Sequence, residues 1–396
     1  MSARPSLDVM KAAYFKFHEP TATQKQIADQ AYLGTQAQVS RLLTEAREKG
    51  VLREILELPL DLSPEERQKI ESSFFPRHTA LENALAQKAR ELNDTKADGG
   101  SFFKRLHVVG AGGLEDQNDT AARERAFLAF GVGAAEIVAD YIDQAAMCCV
   151  AWGRTIDATV RYVRPRNTPA SGKKFMPIAG EPTNHEPNGV SASDAARTLA
   201  RAWPGSQALS LRGVQSRIPK SVYQAGNDKI ARELVGFSKH YKEIFGPSDP
   251  DRPLIGRVPM ILTGVGDVRT SKRPIEGVGP SDPWYLETEE AEGSEVLGWA
   301  EGNIGGVWIA RDDASAEQKK QINEVNTRWL GTQHDDFKRC SRNADMERNR
   351  PGVVALAVEP EKKKIVLETL YLVNVLVVSR QLADALADEL RIPRLS

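Results

Sequence analysis

Cysteine is scarce in this chain: three in 396 residues, with Cys148 and Cys149 adjacent and Cys340 far away. Neighbours in sequence rarely bridge, and no CxxC or Cys/His spacing is present, so neither a disulfide framework nor a zinc site is indicated. The six histidines, His18, His78, His107, His185, His240 and His334, make no pair at i, i+3 or i, i+4. No metal motif follows from them, and no cofactor is expected. G-x-S-x-G is also missing, so no catalytic residue is assigned. Long apolar runs are lacking and the mean hydropathy is −0.42, which excludes a helical membrane protein. Met1 leads into Ser2-Ala3-Arg4-Pro5 with no secretory pattern, so the cytoplasm is the expected location. An excess of either charge is absent as well, with 53 Lys+Arg against 54 Asp+Glu. That balance excludes a basic coat but leaves room for a small local nucleic-acid surface.

What is present is an apolar share of 41%, enough for a proper core, in a chain too long for one ordinary domain. The first sixty residues read as short helices. Leu7, Met10, Tyr14 and Phe17 share one face of a helix over residues 6–18, which Pro20 ends. Thr23 caps a second helix over 24–31, with Gln26 completing a capping box and Ile27 and Ala28 turned inward. Gly34 lies in the turn, and Thr35 caps a third helix to 49–50 whose buried stripe is Val39, Leu42, Leu43 and Ala46. Three helices with a glycine-containing turn between the last two make a helix-turn-helix.

A recognition helix needs short polar residues in its first turns. Thr35, Gln36, Ala37, Gln38, Ser40 and Arg41 supply them: glutamines for adenine edges, Ala37 for a thymine methyl, Ser40 and Arg41 for phosphate or guanine. Thr23 and Gln24 open the preceding helix, whose free N–H groups suit a phosphate. Charge does not decide between a DNA-binding head and a protein-interaction module, because residues 1–57 carry eight Lys/Arg against seven Asp/Glu, a net of +1.

A strand over 51–60 and a charged helix over 64–93, capped by Ser63, form a helical linker within 58–101. From residue 102 strands alternate with helices: strands at 106–109, 145–151, 259–263, 353–358 and 373–378, helices at 123–141, 194–203, 228–245, 362–371 and 380–390. Near-continuous apolar strands in such an alternation predict an α/β domain over 102–396 around a mainly parallel sheet. Residues 267–300, rich in Gly, Pro and acids, form a long insertion placed to act as a lid.

Two glycine-bearing loops after strands are the candidate ligand site, since an α/β sheet binds ligands at strand C-termini. Gly153, Arg154 and Thr155 offer backbone N–H groups, a guanidinium fork and a hydroxyl for an anion. Thr263 to Asp267 repeats the pattern, with Asp267 suited to sugar hydroxyls. A third loop at 110–113 lacks the dinucleotide fingerprint and its distal acid. Cys148 and Cys149 lie in a predicted core strand and read as structural. The lysine run 362–364 reads as a solvated face, although a lysine just after a strand also suits closing a phosphate site.

The order of these motifs resembles the SorC family of bacterial sugar-responsive transcription regulators. Ala22-Thr-Gln-Lys-Gln-Ile-Ala28, Gln38-Val-Ser-Arg-Leu-Leu43 and Ala46-Arg-Glu-Lys-Gly-Val51 are similar to its DNA-binding head. Val150-Ala-Trp-Gly-Arg-Thr155, Leu262-Thr-Gly-Val-Gly266, Ala300-Glu-Gly-Asn-Ile-Gly-Gly306 and Val325-Asn-Thr-Arg-Trp-Leu-Gly331 resemble later family blocks, and residues 362–385 its terminal helix, strand and helix. The similarity spans residues 7–390. It implies an all-α helix-turn-helix head joined to a Rossmann-like α/β effector domain related to sugar-phosphate isomerases. It also implies an operator-DNA partner, a homo-oligomer (dimer or tetramer), no membrane partner, and a small carbohydrate effector, expected to be phosphorylated. Gly153, Arg154 and Thr155 would then hold phosphate, Gly264, Val265, Gly266 and Asp267 would line the sugar, and Lys362 would be the closing cation. Three positions depart from the pattern. Val358-Glu359 replaces a pair of glycines and sets a negative charge near the expected phosphate, and Asn303 stands where an effector-contacting acid is usual. The turn of the helix-turn-helix is also one residue longer. The alternative implied by the related fold is a sugar-phosphate-converting enzyme, for which no acid/base pair is found.

Overall fold

The structure is a computed structural model and describes residues 6, 8–9, 12–13, 23–30, 33, 35–48, 78–95, 102–110, 120–166, 172–182, 191–246, 253–268, 274–275, 279–280, 288 and 292–394. The chain divides into two compact units, Met1–Glu71 and Ser72–Ser396.

In the first unit Asp8, Val9, Ala12 and Ala13 are helical, and Ser6 Oγ accepts the Val9 N–H at 3.3 Å. Leu7, Met10, Tyr14 and Phe17 lie outside the described residues. Helix α1 is Gln24–Gln30 and α2 is Gln36–Glu48. Both are opened by the same device. Gln26 N–H donates to Thr23 Oγ1 at 3.3 Å while Thr23 N–H donates to Gln26 Oε1 at 2.8 Å. Gln38 N–H and Thr35 Oγ1 repeat the bond at 3.3 Å, and Thr35 N–H returns it to Gln38 Oε1 at 2.7 Å. Each box satisfies two backbone donors that a helix start leaves without partners. Val9, Ala12, Ala13, Ile27, Ala28, Leu33, Val39, Leu43 and Ala46 form one buried cluster with Leu42 packed against it. It is a small core, made mostly of small side chains.

The second unit begins with α3, Thr79–Thr95. His78 caps it, accepting the Leu81 N–H on Nδ1 at 3.2 Å; of the helix expected over 64–93, residues 64–77 lie outside the described residues. Leu81, Leu85, Ala89 and Leu92 enter the same buried cluster as Leu370, Tyr371 and Leu372. This segment, expected as a linker, is therefore part of the α/β unit. The strand expected at 51–60 and the Ser63 cap lie outside the described residues.

The main elements that follow are β1 Arg105–Val109, α4 Thr120–Gln144, β2 Met147–Val150, α5 Arg154–Val160, β3 Lys174–Pro177, α6 Ala192–Ala202, β4 Gln207–Ala208, α7 Asp228–Gly236, α8 Lys239–Ile244, β5 Met260–Asp267, the hairpin β6 Pro274–Ile275 and β7 Gly279–Pro280, β8 Ala300–Ile304, β9 Val307–Ala310, α9 Ala316–Thr327, α10 His334–Arg342, β10 Gly352–Ala357, α11 Lys363–Thr369, β11 Val375–Ser379 and α12 Arg380–Glu389; of these β3, β4, β6 to β9, α9 and α10 were not expected from the sequence. One helix was expected over 228–245, but Ser238 divides it: its Oγ accepts the Tyr241 N–H and starts α8.

The main sheet runs β1-β11-β10-β5-β2-β3-β4, all parallel along this path, and β8 and β9 extend it from β5. Every residue of β10 and β11 is buried, the mark of central parallel strands covered on both faces. Alternate residues feed two layers. Cys149, Val353, Ala355 and Val378 pack under α3, α10, α11 and α12, whereas Cys148, Val354, Leu356 and Val377 pack under α4, α5 and α6. Burial pushes the Cys148 and Cys340 thiols up to about 12, in keeping with a structural role. From β2 the chain moves outward through β3 and β4, then returns to the other side of β2 with β5 and continues to β10 and β11. The topological switch point lies between β2 and β5.

Candidate functional site

A pocket of about 610 Å³, open to solvent, lies at that switch point, at the C-terminal ends of β2, β5 and β10. A crevice outside the carboxyl ends of parallel strands is where such sheets bind ligands. Of the residues expected from sequence, Gly153, Arg154, Thr155, Gly264, Val265, Gly266, Asn303 and Lys362 all line it. Asp267 does not: it is buried at the far end of β5, two residues past the bend.

The two glycine segments differ in kind. Gly153 is a true turn, with φ +115° and ψ 160°, a backbone that redirects β2 into α5 and sets Arg154 and Thr155 in the first helical turn. Thr155 is buried, and its carbonyl accepts the Thr159 hydroxyl at 2.8 Å. The second segment was expected as a loop and is strand instead. Met260 to Gly264 pair with β10, then Val265, Gly266 and Asp267 leave the parallel sheet and pair antiparallel with Ile304, Asn303 and Gly302. The glycines allow the close approach of β5 and β8. A Cβ on Gly302 would lie 2.1 Å from the Gly266 carbonyl oxygen, and one on Gly266 would lie 2.7 Å from Asn303 Nδ2. These positions bring backbone together and do not form an anion-binding turn.

The charge at the centre was only half visible in sequence. Glu359 follows β10 and is 2% exposed. Its Oε1 accepts a 2.6 Å hydrogen bond from Arg123 Nη2 and lies 3.7 Å from Arg154 Nη2, while its Oε2 lies 3.3 Å from Lys362 Nζ. Burial alone would raise this carboxyl, but Lys362, Arg154 and Arg123 outweigh it and hold the group at about 2. Glu359 is thus ionised at every physiological pH, and Arg123 and Lys362 are buried against it. Arg154 is the most exposed of the three cations, and its guanidinium lies 4.6 Å from the centre of the Phe127 ring. Such stacking holds a planar cation in place without neutralising it. Trp152, tilted at 49° against Trp329 with ring centres 5.8 Å apart, completes an aromatic wall.

Arg123 and Phe127 escaped the sequence reading because both lie on α4, remote in sequence from every glycine motif. Their spacing of four residues puts them on one helix face, which was the available signal. The far end of the 267–300 insertion is tied down: Glu292 pairs with buried Arg328 and lies 3.6 Å from Lys220. Most of that insertion lies outside the described residues. Among the described residues, no group of three or more His, Cys, Asp or Glu is placed to hold a metal ion, and no helix is long and apolar enough to cross a membrane.

On the head, Thr35, Gln36, Ala37, Gln38 and Arg41 are exposed, Ser40 and Gln24 are half-buried, and Thr23 is exposed. Thr35 to Arg41 cover the start of α2, and Thr23 and Gln24 the start of α1. Gln38 and Thr35, expected to reach outward, spend their acceptor oxygens on the capping box. Gln36, Ala37 and Arg41 are exposed outside the box, Ser40 is half-buried there, and Gln38 keeps its amide Nε2 on the surface.

No family model matches this chain, and no curated protein matches it. Among solved structures it is similar to the full-length sorbitol operon regulator SorC from Klebsiella pneumoniae, at 18% identity and a TM-score of 0.49, over 96% of this chain and 97% of that one. It is also similar to a DeoR family transcriptional regulator from Listeria monocytogenes, at 18% identity and 0.49, over 76% of this chain and 98% of that one. A transcriptional regulator from Streptococcus pneumoniae TIGR4 matches at 16% identity and 0.46, over 76% of this chain and 95% of that one.

Proposed function

We propose that the chain is a DNA-binding transcriptional regulator whose α/β unit binds a small carbohydrate effector. The observation that carries this reading is the pairing, in one chain, of a doubly capped helix-turn-helix with a solvent-open pocket at the switch point of a parallel sheet. Gln36, Ala37, Ser40 and Arg41 read base edges and phosphate in the major groove, and Thr23 and Gln24 set the start of α1 against the backbone. Two heads are needed to read two half-sites, so the working form is a homo-oligomer in the cytoplasm. The effector acts by binding one arrangement of that oligomer more tightly than the other, since only differential affinity shifts an equilibrium.

Sensing is favoured over turnover by the state of Glu359, the one carboxylate among the described residues that line the pocket. Glu359 is held at about 2 by three cations, far from the range in which a carboxyl exchanges protons efficiently at neutral pH. The test is a footprint of the full chain on DNA upstream of its own gene at moderate salt, with wild type and Arg41→Ala. Sequence-dependent protection by wild type and its loss in the variant are expected; a well-folded wild type that protects no sequence overturns the reading. The same preparation incubated with sugars and sugar phosphates is expected to leave them unconverted.

A further inference from the structure

We infer that this pocket takes an uncharged carbohydrate, with adjacent hydroxyls donating to the Glu359 carboxylate, and that it rejects phosphorylated sugars. The inference rests on the effector reading above and names the ligand class. The two cations that line the pocket, Arg154 and Lys362, already converge on an anion supplied by the chain itself. A phosphoryl group bound to both nitrogens would lie against a buried, ionised carboxylate, and like charges at close range inside a protein repel strongly. Protonation offers no relief, because the carboxyl is held at about 2. The cations outnumber the carboxylate, but Arg123 is committed to it at 2.6 Å behind the pocket and is not among the lining residues. The surplus is shared by Lys362, which is buried against Glu359, and Arg154, the most exposed member, which Phe127 supports.

What the site offers instead suits hydroxyl groups. Glu359 Oε2 is buried and accepts no hydrogen bond; Lys362 Nζ faces it at 3.3 Å out of alignment. Lys362 compensates its charge, and its lone pairs are left for a ligand hydroxyl to donate to. Asn303 holds the Gly306 N–H on Oδ1 at 3.3 Å and has its amide Nδ2 to donate. Trp152 supplies an apolar face against which the C–H side of a sugar ring packs, beside the Phe127 ring that Arg154 covers. A carboxylate, an amide and an aromatic wall together recognise a neutral polyol.

The experiment is calorimetric titration of the full chain with inorganic phosphate, glucose 6-phosphate and fructose 6-phosphate, beside a panel of unmodified pentoses, hexoses and hexitols. Wild type is expected to give saturable heat with at least one unmodified sugar, at least tenfold tighter than with any phosphorylated one, and none with inorganic phosphate. Glu359→Gln frees the cations and is expected to gain phosphate binding while losing the neutral sugar. Glu359→Asp keeps the charge and is expected to go on rejecting phosphate, which preserves the comparison if the glutamine variant does not fold. Saturable binding of inorganic phosphate to wild type, a phosphosugar preferred over its unmodified parent, or no saturable unmodified sugar in the panel overturns the inference. A failed DNA footprint would instead defeat the regulator reading and leave these titrations to decide the ligand class.

Discussion

Arg123 Nη2 donates to Glu359 Oε1 at 2.6 Å across 236 residues of sequence, and both side chains are buried. This bond ties the beginning of α4 to the end of β10, across the base of the pocket. It also lets a carboxylate exist where the desolvation cost would otherwise forbid one.

Removing the arginine alone should therefore be severe. Arg123→Met leaves Glu359 buried with less compensation, and breaking one side of a buried ion pair costs about 3–5 kcal/mol. The double variant Arg123→Met/Glu359→Met should recover most of that loss, because the charges leave together. Urea unfolding of the four-member cycle measures the coupling. A single-variant loss under about 1 kcal/mol would show that the pair is solvated and not buried.

Two carboxyls give opposite pH signatures. Glu359 is depressed from 4.5 to about 2, so its contribution is present above the unfolded value and is lost as pH falls through that window. By linkage this is about 3 kcal/mol, and the gap between wild type and Glu359→Gln should narrow steadily below pH about 4.5. Glu181 is raised from 4.5 to about 7, chiefly by burial, with Asp194 adding to the rise and Ser191 and Arg212 opposing it. Its folded state is favoured when protonated, so stability is lost as pH climbs from about 4.5 to about 7. Glu181→Gln should then stabilise the protein by about 1–2 kcal/mol above pH about 7, discounted for partial exposure, with the effect fading to nothing below pH about 4.5. Denaturation midpoints across pH check both signs.

The bend of β5 into β8 depends on two missing side chains. Gly302→Ala places a methyl 2.1 Å from the Gly266 carbonyl and 2.9 Å from Ile365 Cγ1. Backbone cannot yield there as a flexible side chain could, so a loss of about 3 kcal/mol is expected, at the upper end for overpacking. Gly110→Ala is the control: its added carbon meets nothing within 4 Å, and a surface change of this kind should stay within about 0.5 kcal/mol. Equal losses in the two variants would remove the packing argument.

The alternation of strands and helices was legible because β10 and β11 are apolar at nearly every position, a pattern only a sheet covered on both faces explains. The site was legible in part. Gly153 needs its positive φ and read correctly as a turn, but Gly264 and Gly266 carry the same letters for a different reason, the nearness of β8. Nothing local distinguishes the two uses. Asp267 was misplaced with them, since a strand carries it past the pocket where a loop would have stopped. Ser238 was passed over as a helix-interior residue, although its hydroxyl starts α8. The part of Glu359 was hidden for a plainer reason: its charge reads as repulsive until Arg123, brought in by the fold, is seen to hold it.

On the head, stability and DNA reading should separate cleanly by residue. Thr35 and Gln38 exchange hydrogen bonds at 2.7 and 3.3 Å, so Thr35→Ala and Gln38→Ala should each destabilise the head by about 1 kcal/mol, as lost caps do. Arg41 is exposed on α2, one turn further on and outside the box. Arg41→Ala should leave the thermal midpoint unchanged, weaken DNA binding, and lower the slope of log affinity against log salt by about 1 if it contacts phosphate. Gln36→Ala, also exposed and outside the box, should relax sequence preference with no change in that slope. Melting curves paired with gel shifts over a salt series resolve all four variants. A Gln38→Ala protein that keeps full stability and loses sequence preference would return Gln38 to the reading surface.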